Sequence, residues 1–250
     1  MNAVVAHPAA TVLLLRDDPR GVAVYLQRRR IRLGFAGGLW AFPGGRVDDA
    51  DGDPAIDDHW SGPSPKMWAR RLDLDLATAR AFVVAACRET LEEAGVLLAD
   101  PVPQPQRLAD ARDSLLSGVD NLAGVLSGLG VRLATDRLRY WAWWVTPDGE
   151  PRRYDTRFFL ASPPPGVSVT AHPGEVLEER WVTPPISGQL PMLPPTYYTL
   201  RDVFAHTSTA AALDAGIARP VERIQPVLDG DDILLPWDDR YPLPTRRDAT

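Results

Sequence analysis

The sequence is poor in cysteine and histidine, and it has no long apolar run. Its 250 residues include 1 cysteine, Cys87, and 4 histidines that lie far apart in the chain. An intrachain disulfide is therefore excluded, and neither a cysteine-based zinc site nor a histidine-based catalytic cluster is favoured. The apolar runs are too short to span a bilayer, and the first residues lack the pattern of a signal peptide. We expect a cytoplasmic protein without a membrane segment.

Positive charge is outnumbered by negative charge, with 27 Lys and Arg against 33 Asp and Glu. The formal net charge is −6 and the pI is about 5.2, which argues against a broad nucleic-acid surface and restricts any phosphate site to a local basic cluster. Proline and tryptophan are abundant, with 25 and 8 residues, which is typical of ordered loops around a well-anchored core. The length predicts a single domain over residues 1–250 with appended segments.

Hydrophobic periodicity predicts an alternation of strands and helices. Two strand-like runs flank "RDDPRG" and predict a hairpin. Residues 46–76 are rich in Asp and Pro without clear periodicity, which indicates a loop-like insertion. The clearest helix is 78–94, with Thr78 as its cap and Gly95 in the left-handed position after its end. The other predicted elements are two helices within 104–130, strands in 138–147, 152–161 and 175–184, and a helical pair within 195–218 that opens a C-terminal extension and tail, 195–250.

The end of this helix, "RETLEEAGVLL", carries an unusual density of carboxylates. Glu89 is three and four residues from Glu92 and Glu93, spacings at which like charges repel, and the helix macrodipole adds negative charge at the same end. Arg88 can pair with Glu92, but an exposed pair of this kind contributes only about 0.3–0.5 kcal/mol. A bound Mg²⁺ or Mn²⁺ would offset the charge better, because hard cations take oxygen ligands. A solvated acidic face is the alternative.

The same stretch resembles a known motif. Gly44 and Gly45, followed by "RETLEEAGV", resemble the Nudix box, G-x5-E-x7-R-E-U-x-E-E-x-G-U, where U is aliphatic. The second half matches except for Thr90 at an aliphatic position. The first half departs from the motif in two ways. The stretch between Gly45 and Arg88 is much longer than in the motif, and the motif's first glutamate is replaced by Arg80. The insertion offers acids that can compensate, namely Asp48, Asp49 and Asp51.

An insertion at this point is similar to the peroxisomal coenzyme A diphosphatase subfamily of the Nudix superfamily. The segments "FPGGRVDDAD", "WAWWVTP", "RRYDTRFFLA" and "LPPTYYTL" have the look of that subfamily in the same order. The resemblance implies an α/β fold, the Nudix α/β/α sandwich with a mixed sheet, elaborated by the 46–76 insertion, the 104–130 helices and extra C-terminal helices.

The resemblance also implies roles for the motif residues. Glu92 and Glu93 would be metal ligands, Glu89 would be a further ligand or a proton acceptor, and the Gly44 carbonyl would complete the metal shell. Arg88 would orient the glutamates rather than contact substrate. The expected cofactor is Mg²⁺ or Mn²⁺.

Residues outside the helix complete the candidate site. Glu175 is the second choice for a general base after Glu89 and a further candidate metal ligand, because many Nudix enzymes supply a remote acid. The run "QRRRIR" places cationic side chains just before the glycine-rich turn, and arginine suits phosphate oxygens. A solvated strand end is the alternative for this run. The candidate substrate-binding residues are Arg28, Arg30, Arg32 and Gly45.

The implied function is a Nudix hydrolase, a diphosphatase that cleaves nucleoside diphosphates linked to another group. Coenzyme A or an acyl derivative is the leading substrate, giving 3′,5′-ADP and a 4′-phosphopantetheine product. ADP-ribose and NADH are alternative substrates, and a non-hydrolytic nucleotide-binding module is the rival class. The intact Arg88-Glu89 and Glu92-Glu93 pairs favour the enzyme. The expected partner is a small nucleotide conjugate, with no nucleic acid and no membrane, and a homodimer is an open alternative because many Nudix enzymes form dimers.

Overall fold

A computed structural model describes residues 4–30, 37–172, 174, 176–186, 190–230 and 232–242. The helices are α1 Pro65–Leu72, α2 Leu76–Ala94, α3 Pro105–Leu116, α4 Leu122–Leu129, α5 Pro194–Val203 and α6 Thr209–Ala215. The strands are β1 His7–Asp18, β2 Gly21–Arg29, β3 Trp40–Ala41, β4 Gly44–Arg46, β5 Trp60–Ser61, β6 Ala99–Asp100, β7 Arg132–Ala134, β8 Arg139–Val145, β9 Tyr154–Ala161, β10 Val176–Val182, β11 Arg223–Ile224, β12 Val227–Asp229 and β13 Asp232–Leu234. Short 3₁₀ helices cover Asp49–Gly52, Pro54–His59 and Thr135–Arg137.

A mixed sheet forms the centre of the molecule. Its strand order is β10-β2-β1-β9-β8-β11, with β3 paired to β2 and β4 paired to β1. Strand β1 runs antiparallel to β2 and to β4 but parallel to β9. The predicted hairpin is confirmed, because β1 and β2 join at a turn over Pro19 and Arg20. Strand β1 therefore lies between the glycine-rich strand β4 and β9.

Helices cover both faces of this sheet. Side chains alternate along β1, so Ala10, Val12 and Leu14 pack under helices α1 to α4, whereas Leu13 and Leu15 pack beside α5 and α6. The predicted α/β/α sandwich is confirmed. Among the described residues, the helices all lack the combination of length and apolar character that a bilayer span requires.

The acidic helix, α2, differs from the prediction at its start. It begins at Leu76, and the Asp75 side chain accepts hydrogen bonds from the backbone N–H groups of Ala77 and Thr78. Asp75 is therefore the cap, and the prediction of Thr78 was wrong by one turn. Gly95 ends the helix with φ of 66°, as predicted. Most of α2 after its first turn is buried, because the sheet packs on one side and the insertion packs on another.

The segment read as a loop is largely ordered. Residues 46–76 contain helix α1 and two 3₁₀ turns, and Trp60 and Ser61 pair with β7. The prediction failed because the elements are short and their Asp and Pro residues act at helix starts. Asp53 and Ser64 cap two of these helices by accepting backbone hydrogen bonds, and a proline begins each of them. Helices α3 and α4 lie within 104–130, as predicted. Helices α5 and α6 match the helical pair predicted within 195–218, except that α5 begins one residue earlier. In the described part of the tail, short strands follow instead of helices.

The tryptophan run on β8 shows the effect of one extra residue. Simple alternation predicts Trp141 and Trp143 on one face and Trp144 on the other. The register shifts between Tyr140 and Ala142, a β-bulge, so Trp141 and Trp144 share the core beside α5 and Trp143 faces the opposite core. Trp141 and Trp144 are buried core residues.

Candidate active site

The paired glycines bring strand β4 against the end of α2. Gly44 has φ of 157°, and a Cβ there would lie 2.5 Å from the Ala10 carbonyl oxygen. A Cβ at Gly45 would lie 2.4 Å from Glu89 Oε1. The Gly44 N–H donates a 2.8 Å hydrogen bond to Glu93 Oε2. The glycines thus allow strand backbone to approach two of the helix carboxylates directly.

The three predicted glutamates of α2 open into one cleft of about 520 Å³. Strands β1, β4 and β9, the end of α2 and the start of α5 form its walls. The residues that line it are Ala9, Thr11, Ala41, Phe42, Gly44, Gly45, Arg46, Glu89, Glu92, Glu93, Leu116, Thr146, Arg152, Tyr154, Thr156, Phe158, His172, Leu193, Pro195 and Thr196. The structure therefore places the motif glutamates and both motif glycines at the same cleft.

Arg88 organises the acidic wall of this cleft from behind. Its Nε and Nη2 donate to the two carboxylate oxygens of Asp51 at 2.9 and 3.0 Å. Its Nη1 donates to Glu89 Oε1 and to Glu92 Oε2, both at 2.9 Å. Nη2 also donates to the Arg46 carbonyl oxygen at 2.8 Å. All three guanidinium nitrogens are thus engaged by protein groups, which suits an orienting role.

The insertion supplies acids to arginines of α2, not to the cleft. Arg80, at the motif's glutamate position, donates through Nε and Nη2 to Asp57 at 2.9 and 2.8 Å. Asp51 is 2% exposed and also accepts a hydrogen bond from the Asp48 N–H. The insertion therefore holds Arg88 through Asp51 and Arg80 through Asp57. The acids named as possible replacements are absent from the cleft lining in the described structure: Asp48, Asp49 and Asp51.

Burial makes the helix-end carboxylates costly to ionise. It raises the pKa of Glu89 to about 8, a shift that Arg88 opposes and that Glu93 and Glu92 reinforce. Burial likewise raises the pKa of Glu92 against the opposing effect of Arg88. One arginine thus fails to compensate fully for the acids it contacts, which agrees with the repulsion expected from their helical spacing.

The donor chemistry fits a hard divalent cation. Within the described residues, His, Cys, Asp and Glu side chains are not gathered into a ready cluster of three or more. Instead, Glu89 and Glu92 each direct one oxygen to Arg88, and Glu93 directs one to the Gly44 N–H. Three carboxylates beside strand backbone are nevertheless the oxygen-rich set that Mg²⁺ takes. Ion binding would require these side chains to turn further into the cleft.

Distant residues cap the C-terminal carbonyl groups of α2. Arg112 of α3 donates two hydrogen bonds, 2.9 and 2.7 Å, to the Glu92 carbonyl oxygen. Gln27 Nε2 donates at 2.8 Å to the Glu93 carbonyl oxygen, which also accepts from the His172 N–H at 3.2 Å. Cationic and amide donors at this end offset the macrodipole and satisfy carbonyl groups that the helix leaves without partners.

Arg112→Met should destabilise the protein by about 1–2 kcal/mol, because hydrogen bonds from charged donors contribute about 1.5–3 kcal/mol and Arg112 is only half buried. Urea denaturation of the two proteins measures the loss. Arg107→Met is the matched control on the same helix, since Arg107 donates one exposed 2.7 Å hydrogen bond to the Gly128 carbonyl, away from α2. Equal losses in both variants would contradict a specific role for the cap.

Two arginines of the predicted basic cluster, Arg28 and Arg30, are absent from the cleft lining in the described part of the chain. Arg28 Nε donates at 3.2 Å to the Gly38 carbonyl oxygen, and neither Arg28 nor Arg30 contributes to the cleft walls. Arg32 and Glu175 lie outside the described residues. The substrate and metal roles of these residues stay predictions.

The cleft instead contains two arginines that sequence reasoning missed, Arg46 and Arg152. Arg46 directly follows the glycine pair. Arg152 begins an alternating series with Tyr154, Thr156 and Phe158, all of which line the cleft. That period of two in "RRYDTRF" was the available signal, because alternate residues of a strand face one side.

A mixed sheet between helices, with a glycine pair against an R-E-x-x-E-E helix end, defines a Nudix hydrolase. The model of the NUDT19 Nudix domain matches residues 61–203, and the chain belongs to that family. Nudix hydrolases generally use divalent metal ions.

Individual relatives agree with this assignment. The chain is 29% identical to the acyl-coenzyme A diphosphatase NUDT19 of Homo sapiens, and the match covers 88% of this chain and 72% of that protein. The Gallus gallus protein of the same name is 28% identical with the same coverage. A crystal structure of a NUDIX hydrolase from Alicyclobacillus acidocaldarius superimposes with a TM-score of 0.69 at 28% identity, covering 87% of this chain and 99% of that chain.

Proposed function

We propose that this Nudix hydrolase is a metal-dependent pyrophosphohydrolase with coenzyme A or an acyl-coenzyme A as its leading substrate. The observation that carries the proposal is the convergence of Glu89, Glu92 and Glu93 with the glycine pair at one cleft. The similarity to acyl-coenzyme A diphosphatases supports the substrate class. The expected products are 3′,5′-ADP and 4′-phosphopantetheine, or its acylated form.

The Mg²⁺ or Mn²⁺ ion would be held by the carboxylates of Glu89, Glu92 and Glu93 and by the Gly44 carbonyl. When bound, such an ion neutralises pyrophosphate charge and lowers the pKa of the attacking water. Glu89 is the first choice for the general base because it lies on the cleft wall next to Gly45. Glu175 remains the second choice.

The other residues of the site contribute positioning. Arg88 fixes the orientation of Glu89 and Glu92 through one nitrogen, and the Gly44 N–H fixes one oxygen of Glu93. Pyrophosphate cleavage depends chiefly on such positioning and on charge stabilisation, so the proposed reaction needs no protein nucleophile. Cys87 is buried in the core, where burial raises the pKa of its thiol, and it takes no part.

The proposal is tested by hydrolysis of coenzyme A, acetyl-coenzyme A, ADP-ribose and NADH in parallel, with Mg²⁺, Mn²⁺ or chelator, and chromatography of the products. We expect 3′,5′-ADP from the coenzyme A compounds, in the metal-containing reactions only. Preferential cleavage of ADP-ribose or NADH would retain the reaction and reject the substrate assignment. Cleavage that persists in chelator would reject the metal dependence.

A further inference from the structure

Arg152 differs from the neighbouring arginines because its guanidinium has no protein partner among the described residues. Arg153 donates to the carbonyl oxygens of Val4 and Thr146. Arg157 donates to the Tyr140 hydroxyl and lies 3.5 Å from the centre of a tryptophan ring. Among the described residues, Arg152 forms neither a hydrogen bond nor an aromatic contact, and it lines the cleft. Its charge is thus available to a ligand there.

Arg46 supplies a second positive charge in the cleft. Its Nη2 lies 3.1 Å from His7 Nδ1, so an imidazole nitrogen and not a carboxylate is its side-chain partner. In the described residues, neither Arg46 nor Arg152 forms an ion pair with an acid. The acidic wall on α2 is therefore faced by two uncompensated guanidinium groups on the strand side of the cleft.

Strand register orders these groups along the cleft. Strand β1 lies between β4 and β9, with Gly44 opposite Thr11 and Arg46 opposite Ala9. His7 of β1 is opposite Tyr154 of β9, and Arg152 precedes Tyr154 by two residues. Thr11 and His7 are separated by about 13 Å at 3.3 Å per residue. Arg46 thus lies between the level of Gly44 and that of His7, with its guanidinium against His7. Arg152 lies past Tyr154, at the end of the wall away from Gly44.

We propose that Arg152 forms a subsite for a phosphate on the ribose of the substrate, separate from the pyrophosphate that is cleaved. A guanidinium matches a phosphomonoester well, because two parallel N–H groups reach two phosphate oxygens and the ligand carries more than one negative charge. A ribose hydroxyl offers no such charge. The inference rests on the proposed pyrophosphohydrolase function and narrows its substrates to nucleoside diphosphate derivatives with a phosphorylated ribose.

The test compares coenzyme A with dephospho-coenzyme A, which lacks only the ribose phosphate. We expect Arg152→Gln to lower kcat/KM for coenzyme A by about 10- to 100-fold, mainly through KM, since a charged hydrogen bond is being lost. Turnover of dephospho-coenzyme A should change less than about twofold, and Arg152→Lys should restore part of the preference. Arg20→Gln, an exposed arginine in the β1–β2 turn, is the matched control and should change neither substrate. Equal losses for both substrates, or no loss for either, would overturn the subsite.

A binding measurement separates this inference from the proposed reaction. Calorimetry of metal-free protein with 3′,5′-ADP and with 5′-AMP should give tighter binding of 3′,5′-ADP, and Arg152→Gln should remove that difference. If hydrolysis is absent but this Arg152-dependent difference is found, the subsite stands and the proposed reaction fails. If hydrolysis occurs and the difference is absent in wild-type protein, the reaction stands and the subsite is rejected.

Discussion

Glu92→Gln should reduce kcat by about 10³-fold or more under saturating Mg²⁺. The amide keeps the size of the side chain but removes the negative charge that the proposed ion requires. Loss of about 4 kcal/mol of transition-state stabilisation corresponds to this factor, since each 1.4 kcal/mol is tenfold, and an ion in such a site contributes several kcal/mol. Steady-state assays with coenzyme A measure the loss, and Glu93→Gln should behave in the same way.

The same substitution should leave the metal-free fold about as stable as wild type, or more stable. Burial raises the pKa of Glu92, so its ionised form is less favourable in the folded than in the unfolded protein at neutral pH. The amide removes this cost, although it weakens the contact with Arg88. Chemical denaturation in chelator tests the expectation.

Glu222→Gln, an exposed acid outside the cleft, is the control for both measurements. It should change neither kcat nor stability. If Glu92→Gln instead lowers the metal-free unfolding free energy by more than about 2 kcal/mol, as loss of a buried polar partner does, the glutamate is structural. If kcat stays within a few-fold of wild type, Glu92 does not hold the ion.

Local patterns predicted the parts of the molecule that depend on neighbouring residues. The β1–β2 hairpin follows from two apolar runs around a turn sequence, and the end of α2 follows from Gly95, because these features are set within a few residues. The three glutamates share the cleft because the helix itself fixes their spacing. Such features need no knowledge of the rest of the chain.

Long-range partners explain what the sequence did not predict. The carbonyl of Glu92 is capped by Arg112, and the carbonyl of Glu93 is capped by Gln27 on β2, which is 66 residues away in the chain. No periodicity connects such pairs. The cationic residues of the cleft were missed for a related reason. The run "QRRRIR" is recognisable as a basic cluster from the sequence alone, whereas the place of Arg152 in the cleft follows from the parallel pairing of β9 with β1.

Asp51 and Arg88 are a further pair of residues far apart in the chain, joined by two hydrogen bonds. Their contact predicts a second large effect of a substitution, on both stability and kcat. Asp51→Asn should lower the unfolding free energy by about 3 kcal/mol, because it leaves a buried guanidinium without its bidentate carboxylate. Burial raises the pKa of Asp51 against the opposing effect of Arg88, but the loss of both hydrogen bonds to Arg88 outweighs the relief of that burial. Both side chains are nearly inaccessible, with 3% of Asp51 and 10% of Arg88 exposed. We also expect kcat to fall by at least tenfold, since a loosened Arg88 no longer fixes the two glutamates it contacts.

Asp57→Asn separates positioning of the site from anchoring of the insertion. Asp57 also pairs with an arginine of α2, Arg80, but it is 40% exposed and this pair does not touch the cleft glutamates. Its loss should cost about 1 kcal/mol and leave kcat near wild type. In a double-mutant cycle, Asp51→Asn and Arg88→Met should couple strongly in both stability and kcat. If the two aspartate variants lose stability alike and both keep full kcat, the insertion braces the fold and the glutamates hold their geometry without it.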